Sequence, residues 1–166
     1  MEEKRLNPGT RKTLIDSQRN EITEHNLYQK LASITDAENN RKVLLDIAED
    51  ELEHYNFWKK YTRREVKPNV FKIWFYYIVA RIFGITFGIR LMERGEEEAQ
   101  EVYRKVAQEI PSAEAIVDDE DDHEQQLIEM IDEERLSYMG SVVLGLNDAL
   151  VELTGALAGL TLAMRD

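Results

Sequence analysis

Three histidines occur in the 166 residues, His25, His54 and His123. Two of them close the same local pattern: Asp50-Glu51-Leu52-Glu53-His54 and Asp119-Glu120-Asp121-Asp122-His123. On a helix, residues i and i+3 share a face, so each motif Glu and its His can grip one cation from the same side. Glu51 and His54 fall in register with Leu44, Ile47 and Trp58, and Glu120 and His123 with Ile116, Leu127 and Met130. Both pairs are therefore expected on apolar, inward faces. Carboxylates and imidazoles buried there without compensation would cost on the order of several kcal/mol each. A metal ion removes that cost.

Two further helices supply the remaining ligands. Glu21 stands seven residues before Tyr28 and eleven before Ala32, and Glu96 stands at the same distances from Tyr103 and Ala107. Aligning the two segments matches Glu, Tyr, Lys and Ala, so the chain reads as a tandem of a Glu helix and a Glu-x-x-His helix, twice over. One Glu from each of two helices and one Glu-x-x-His from each of two others is the ligand set of di-iron and di-manganese carboxylate bundles. The expected metal ligands are Glu21, Glu51, His54, Glu96, Glu120 and His123. Four anions and two neutral imidazoles balance two divalent ions, and the oxygen-rich set suits iron, then manganese, with zinc as a surrogate. Tyr28 and Tyr103 are expected to pack behind the ligands or donate hydrogen bonds to them, and no catalytic group beyond the ligands is expected. Glu24 is an auxiliary carboxylate without a counterpart, since Ala99 aligns with it; His25 aligns with Gln100 and reads as structural. Without a metal, the same acidic residues would be solvated helix faces.

The elements that must position these groups are helical throughout. Prolines occur at three positions, Pro8, Pro68 and Pro111, and punctuate the chain as helix boundaries. A first helix is expected from Thr10 to about Ile34, with Leu14, Ile22, Tyr28 and Ala32 inward, and a second from about Asp36 or Asn39 to Tyr61, with Leu44, Ile47, Ala48 and Trp58 inward. Val70 to Met92 is an unusually apolar, aromatic stretch, suited to buried packing, a dimer contact or a membrane surface, and the basic cluster Lys59, Lys60, Arg63, Arg64 and Lys67 precedes it. Helix is expected to continue through Glu96 and Tyr103 to Ile110. Ser112 is the expected N-cap of the next helix, which carries Ile116, Leu127, Met130 and Ile131 inward. No segment alternates with period two. The fold class is all-α.

Composition narrows the function. With 21 Lys and Arg against 33 Asp and Glu, the formal net charge is −12, which repels nucleic-acid backbones and concentrates cations. The absence of cysteine excludes disulfides, thiolate catalysis, iron–sulfur clusters and Cys zinc sites. The polar start MEEKRLNPGT has no apolar core of a secretory leader. From Met139 to Met164 the composition shifts to Gly, Ala, Leu and Val, long enough for the roughly 20 residues that a bilayer span needs, with Gly155 and Gly159 in a small-xxx-small spacing.

From Thr10 to about Glu134 the chain resembles the rubrerythrin branch of the ferritin-like superfamily, on the two Asp-Glu-x-x-His motifs together with Glu21 and Glu96. The resemblance implies a ferritin-like four-helix bundle with a long apolar crossover extending the third helix and an extra C-terminal apolar helix. It implies that Glu51 and Glu120 bridge two iron ions, that Glu21 and Glu96 are terminal ligands, and that Asp50 and Asp119 hold the ligand histidines through their second nitrogens. Classical rubrerythrins add a Cys₄ iron site, which a chain without Cys cannot build. The tail Gly145-Leu-Asn-Asp-Ala-Leu-Val-Glu-Leu-Thr-Gly155 resembles the first membrane helix of the vacuolar iron transporter family, with Ala149 in place of the usual second Gly. Together these imply two parts, a di-iron domain over residues 1–137 and the start of a transporter membrane domain over 138–166. The implied function is iron binding, with ferroxidase activity on Fe²⁺ and O₂, at the cytoplasmic face of a membrane; the aromatic burden of Phe71–Phe87 separately leads us to expect a homodimer. The alternatives are a non-catalytic metal-sensing or gating module, a rubrerythrin- or manganese-catalase-type peroxide oxidoreductase, and a metal-free helical interaction domain.

Overall fold

Pro8, which needs no backbone N–H partner in a first helical turn, opens α1 (Pro8–Ala32). Helix α2 (Glu38–Thr62) follows after a short turn and ends where Arg63 takes a left-handed conformation, φ 54°, its N–H bonded to the Lys59 carbonyl. After Pro68, Asn69 caps α3 (Val70–Phe83) by accepting from the Lys72 N–H, and α4 (Ile85–Glu93) follows. A 3₁₀ turn, Pro111–Ala113, leads into α5 (Glu114–Ala163). The computed structural model describes residues 8–93, 103–104 and 106–164, and every regular element among them is helical.

The expected stripes are the buried ones. Leu14, Tyr28 and Ala32 of α1, Leu44, Ile47, Ala48 and Trp58 of α2, and Ile116, Leu127, Met130 and Ile131 of α5 are all buried, while Ile22 is half-buried. Helix α1 packs along α2 and also contacts α3. One apolar cluster joins Leu14 and Trp58 to Tyr103, Val106, Ile110, Ala113 and Ile116, so the helical residues around 106–109 close over α1 and α2. His25 donates its Nδ1–H to the Ala48 carbonyl at 2.6 Å, a tie between α1 and α2 that fits its structural reading. Buried Gln18 accepts from the Thr62 hydroxyl at 2.6 Å and donates to the Arg64 carbonyl at 2.9 Å, fixing the exit from α2.

Two local expectations are corrected. Ser112 is not a helix N-cap: it lies inside the 3₁₀ turn, where its hydroxyl meets that of Tyr61 at 3.0 Å, because Pro111 tightens the chain before α5 begins. The apolar stretch from Val70 to Met92 is not one continuous helix. It breaks at Gly84, whose φ of 93° is available to glycine at little cost, and the break folds α4 against α3.

By internal contacts the chain divides into two units, Met1–Ile128 and Glu129–Asp166. In the second, Tyr138–Ala163 is long and apolar enough to cross a membrane, and its side chains are exposed.

Close packing of α3 and α4 depends on Gly88: a Cβ there would sit 2.7 Å from the Ala80 Cβ. Gly88→Ala should cost about 1–3 kcal/mol in denaturant unfolding, as overpacking does, and Ala80→Gly in the same chain should recover part of the loss. Gly140, with nothing within 4 Å of its would-be Cβ, should accept Ala without loss.

Candidate metal centre

Four side chains from three helices meet inside the first unit. Glu21 of α1, Glu51 and His54 of α2, and Glu120 of α5 each present one ligand atom, and these atoms lie within 4.8 Å of one another. Glu21, Glu51 and His54 are buried, and Glu120 is partly buried. The i, i+3 spacing behaves as the helix dictates, with both motif pairs turned inward among apolar neighbours. His123, the partner of Glu120, is equally buried, its ring centroid 5.8 Å from that of His54.

Glu51 lies between the two imidazoles. Its Oε2 is 3.8 Å from His54 Nδ1 and its Oε1 is 3.6 Å from His123 Nδ1, while Glu120 Oε1 is 3.6 Å from His54 Nδ1. The outer nitrogens are held crosswise. His54 Nε2–H donates to Asp119 at 3.2 Å, and His123 Nε2–H donates to Asp50 at 3.1 Å. Each Asp therefore orients the histidine of the other motif, and a proton fixed on Nε2 leaves the Nδ1 lone pair facing the centre.

The remaining contacts lock Glu21. Its Oε1 accepts from Trp58 Nε1–H at 2.7 Å and from the Tyr103 hydroxyl at 2.9 Å. Trp58, expected as core, is also a hydrogen-bond donor to the site. The available signal was its position four residues after His54 on the same face, which carries an indole N–H into the neighbourhood of buried carboxylates. Tyr28 is buried on α1, and Glu24 is held by Lys72 of α3, Nζ to Oε1 at 3.1 Å, apart from the clustered ligand atoms. Glu96, the remaining expected ligand, lies outside the described residues.

Among the described residues, five buried polar atoms have no hydrogen-bond partner: Glu21 Oε2, Glu51 Oε2, His54 Nδ1, Glu120 Oε1 and His123 Nδ1. All five belong to the expected ligands. Buried polar atoms are normally satisfied, and one metal-bearing site could serve all five of these. The acid–base balance says the same. Burial and then the charges of Glu51 and Glu120 push Glu21 well above the usual carboxylate range, and burial followed by the charge of Glu120 pushes Glu51 up to about 8. Burial opposes charge on His54, but contacts with Glu120 and Glu51 outweigh it and raise the imidazole to about 11. Burial and the nearby Glu21 also raise Tyr103. Without a metal, protons take the place of the cation.

Comparison with protein-family models, with curated proteins and with solved structures gives no match for this chain. The class defined by fold and site is an all-helical protein with a buried Glu/His group that could bind a metal ion.

These shifts set the pH response of the metal-free protein. The unfolded chain releases the Glu51 proton near 4.5 and the His54 proton near 6.5, whereas the folded state keeps them to about 8 and about 11. The stability these protons provide is complete below the unfolded values and is lost as pH rises through the folded ones, with a slope of up to about 1.4 kcal/mol per pH unit for each group. Denaturant titrations between pH 6 and 9 should show metal-free stability falling, and saturating Mn²⁺ should flatten the dependence. A metal-free stability that rises across this range would contradict the assignment.

Proposed function

We propose that this chain is a rubrerythrin-type, ferritin-like di-iron domain that binds Fe²⁺ and oxidises it, and that it serves iron transport at the cytoplasmic face of a membrane. The observation that carries the reading is the convergence of five buried, unpartnered ligand atoms from α1, α2 and α5. On this reading α1, α2, the helical stretch ending near Ile110 and the start of α5 are the four rods of the bundle, and Glu96 is the fourth carboxylate of the ligand set. Charge supports two divalent ions: four carboxylates match four positive charges, and the two histidines add neutral donors. Oxygen-rich ligation with imidazole suits iron or manganese. The exposed, apolar Tyr138–Ala163 helix supports attachment to a membrane.

When bound, two ferrous ions supply one electron each, and O₂ takes these two electrons with two protons to leave as hydrogen peroxide. The chain supplies position and charge. Glu51, with an oxygen toward each histidine, would hold the metal together with those imidazoles. Glu120 approaches His54 from α5, and Glu21, with Oε1 tied to Trp58 and Tyr103, would offer its unpartnered Oε2. Asp50 and Asp119 keep the imidazoles turned so that Nδ1 faces inward. Glu51 and His54 hold protons that a bound cation would replace, so metal uptake would release protons.

Under oxygen-free conditions, Fe²⁺ or Mn²⁺ at 100 times its Kd should stabilise the fold by about 2.7 kcal/mol, read as a rise in Tm, and Glu51→Ala with Glu120→Ala should abolish the rise. In air, the loaded protein should oxidise Fe²⁺ faster than buffer does. A rise in Tm with oxidation at the buffer rate would leave a metal-sensing or delivery module instead. Asp50→Asn with Asp119→Asn should weaken metal binding about 10–100-fold while preserving helix content, measured by metal titration and circular dichroism.

A further inference from the structure

Helix α3 has two apolar faces. Ile73 and Ala80 point into the protein and are buried. On the opposite side Phe71, Trp74, Phe75, Ile78 and Ile82 form an i, i+3, i+4, i+7, i+11 stripe, and every one is exposed, Phe71 to 81%. Phe83 and Phe87 extend this surface across the Gly84 break and are also exposed. A contiguous aromatic surface of this kind marks a binding face.

Charge identifies what covers it. Residues 59–92 carry eight Lys or Arg against the one acid Glu65, a local charge of +7 in a chain whose total is −12. Lys60, Arg64 and Lys67 are exposed just ahead of α3, Arg81 flanks the stripe, and Lys30 of α1 reaches its edge, with Nζ 4.4 Å from the Trp74 ring centroid. Aromatic side chains rimmed by Lys and Arg match an interfacial helix, whose rings enter the headgroup region while the cations meet lipid phosphates. A second copy of the chain fits less well, because a two-fold contact through this face would bring two such cationic rims together. The same chain also carries Tyr138–Ala163, long and apolar enough to enter a bilayer, and such a tether raises the local concentration of lipid for any other surface on the chain.

We propose that the exposed face of α3 and α4, centred on Trp74 and Phe75, docks on an anionic lipid surface. The dock shares the membrane attachment of the reading above but not its metal, so loss of metal binding leaves it intact.

The two tryptophans make the test direct, since Trp58 is fully buried and Trp74 is about half exposed. The full chain is reconstituted into phosphatidylcholine vesicles with and without 30% phosphatidylglycerol, and Trp74 is read as the difference between the wild type and Trp74→Phe. With anionic lipid, acrylamide quenching of Trp74 should fall at least threefold and brominated lipid should quench it. High salt, or Lys60→Glu with Arg64→Glu and Lys67→Glu, should reverse both effects. Phe71→Asp with Phe75→Asp, at exposed positions that leave the fold unchanged by circular dichroism, should do the same. Trp74 that stays open to acrylamide and untouched by brominated lipid overturns the proposal. So does protection that is independent of lipid charge and grows with protein concentration, which would assign the face to a second copy.

Discussion

Three carboxylates drawn into one dry pocket repel each other, and the rest of the structure answers that repulsion. Glu21, Glu51 and Glu120 come from three different helices and gather with two imidazoles where water is largely excluded. Burial first, and then the neighbouring negative charges, make Glu21 and Glu51 hold protons far above their ordinary range. The fold tolerates this through groups that take no part in the repulsion. Trp58 and Tyr103 satisfy one oxygen of Glu21 with neutral donors, and the half-exposed Asp50 and Asp119 steer the histidines from the rim. The atoms left over face one another.

Each histidine is gripped by the aspartate that precedes the glutamate of the other motif. The two motifs therefore complete each other, and neither helix could present an oriented imidazole alone. This reciprocity ties α2 to α5 by polar contacts at the centre, while Leu14, Trp58, Val106 and Ile116 join the helices by apolar packing beside it. Trp58 belongs to both systems: its ring fills the core and its N–H serves Glu21.

Charge is also divided at a larger scale. An acidic chain concentrates positive charge in residues 59–92, next to an exposed aromatic surface. Carboxylates that could bind a metal ion and a cationic aromatic face thus occur in one unit. The ion pair between Lys72 and Glu24 is where they touch: a lysine of α3 reaches back to a buried glutamate one turn from Glu21.

Much of this was legible from residue order alone. Helical periodicity located the buried stripes of α1, α2 and α5, because apolar spacing at 3.6 residues has one inward face whatever it packs against. The repeated Glu-x-x-His spacing picked out Glu51, His54, Glu120 and His123, since i and i+3 must share a side. The tandem alignment added Glu21. Local rules failed where the outcome depended on a neighbour distant in sequence. Gly84 breaks the apolar stretch, a feature that composition around a single glycine does not reveal, and Pro111 draws Ser112 into a 3₁₀ turn. Trp58 became a donor only because α1 brings Glu21 against it, and the aspartates crossed over only because α2 and α5 face each other. The sequence by itself determined which side chains turn inward, a property of one helix at a time. Tertiary structure decided which of them meet and which atoms remain without partners, because distances between helices are set by packing and not by spacing along any one of them.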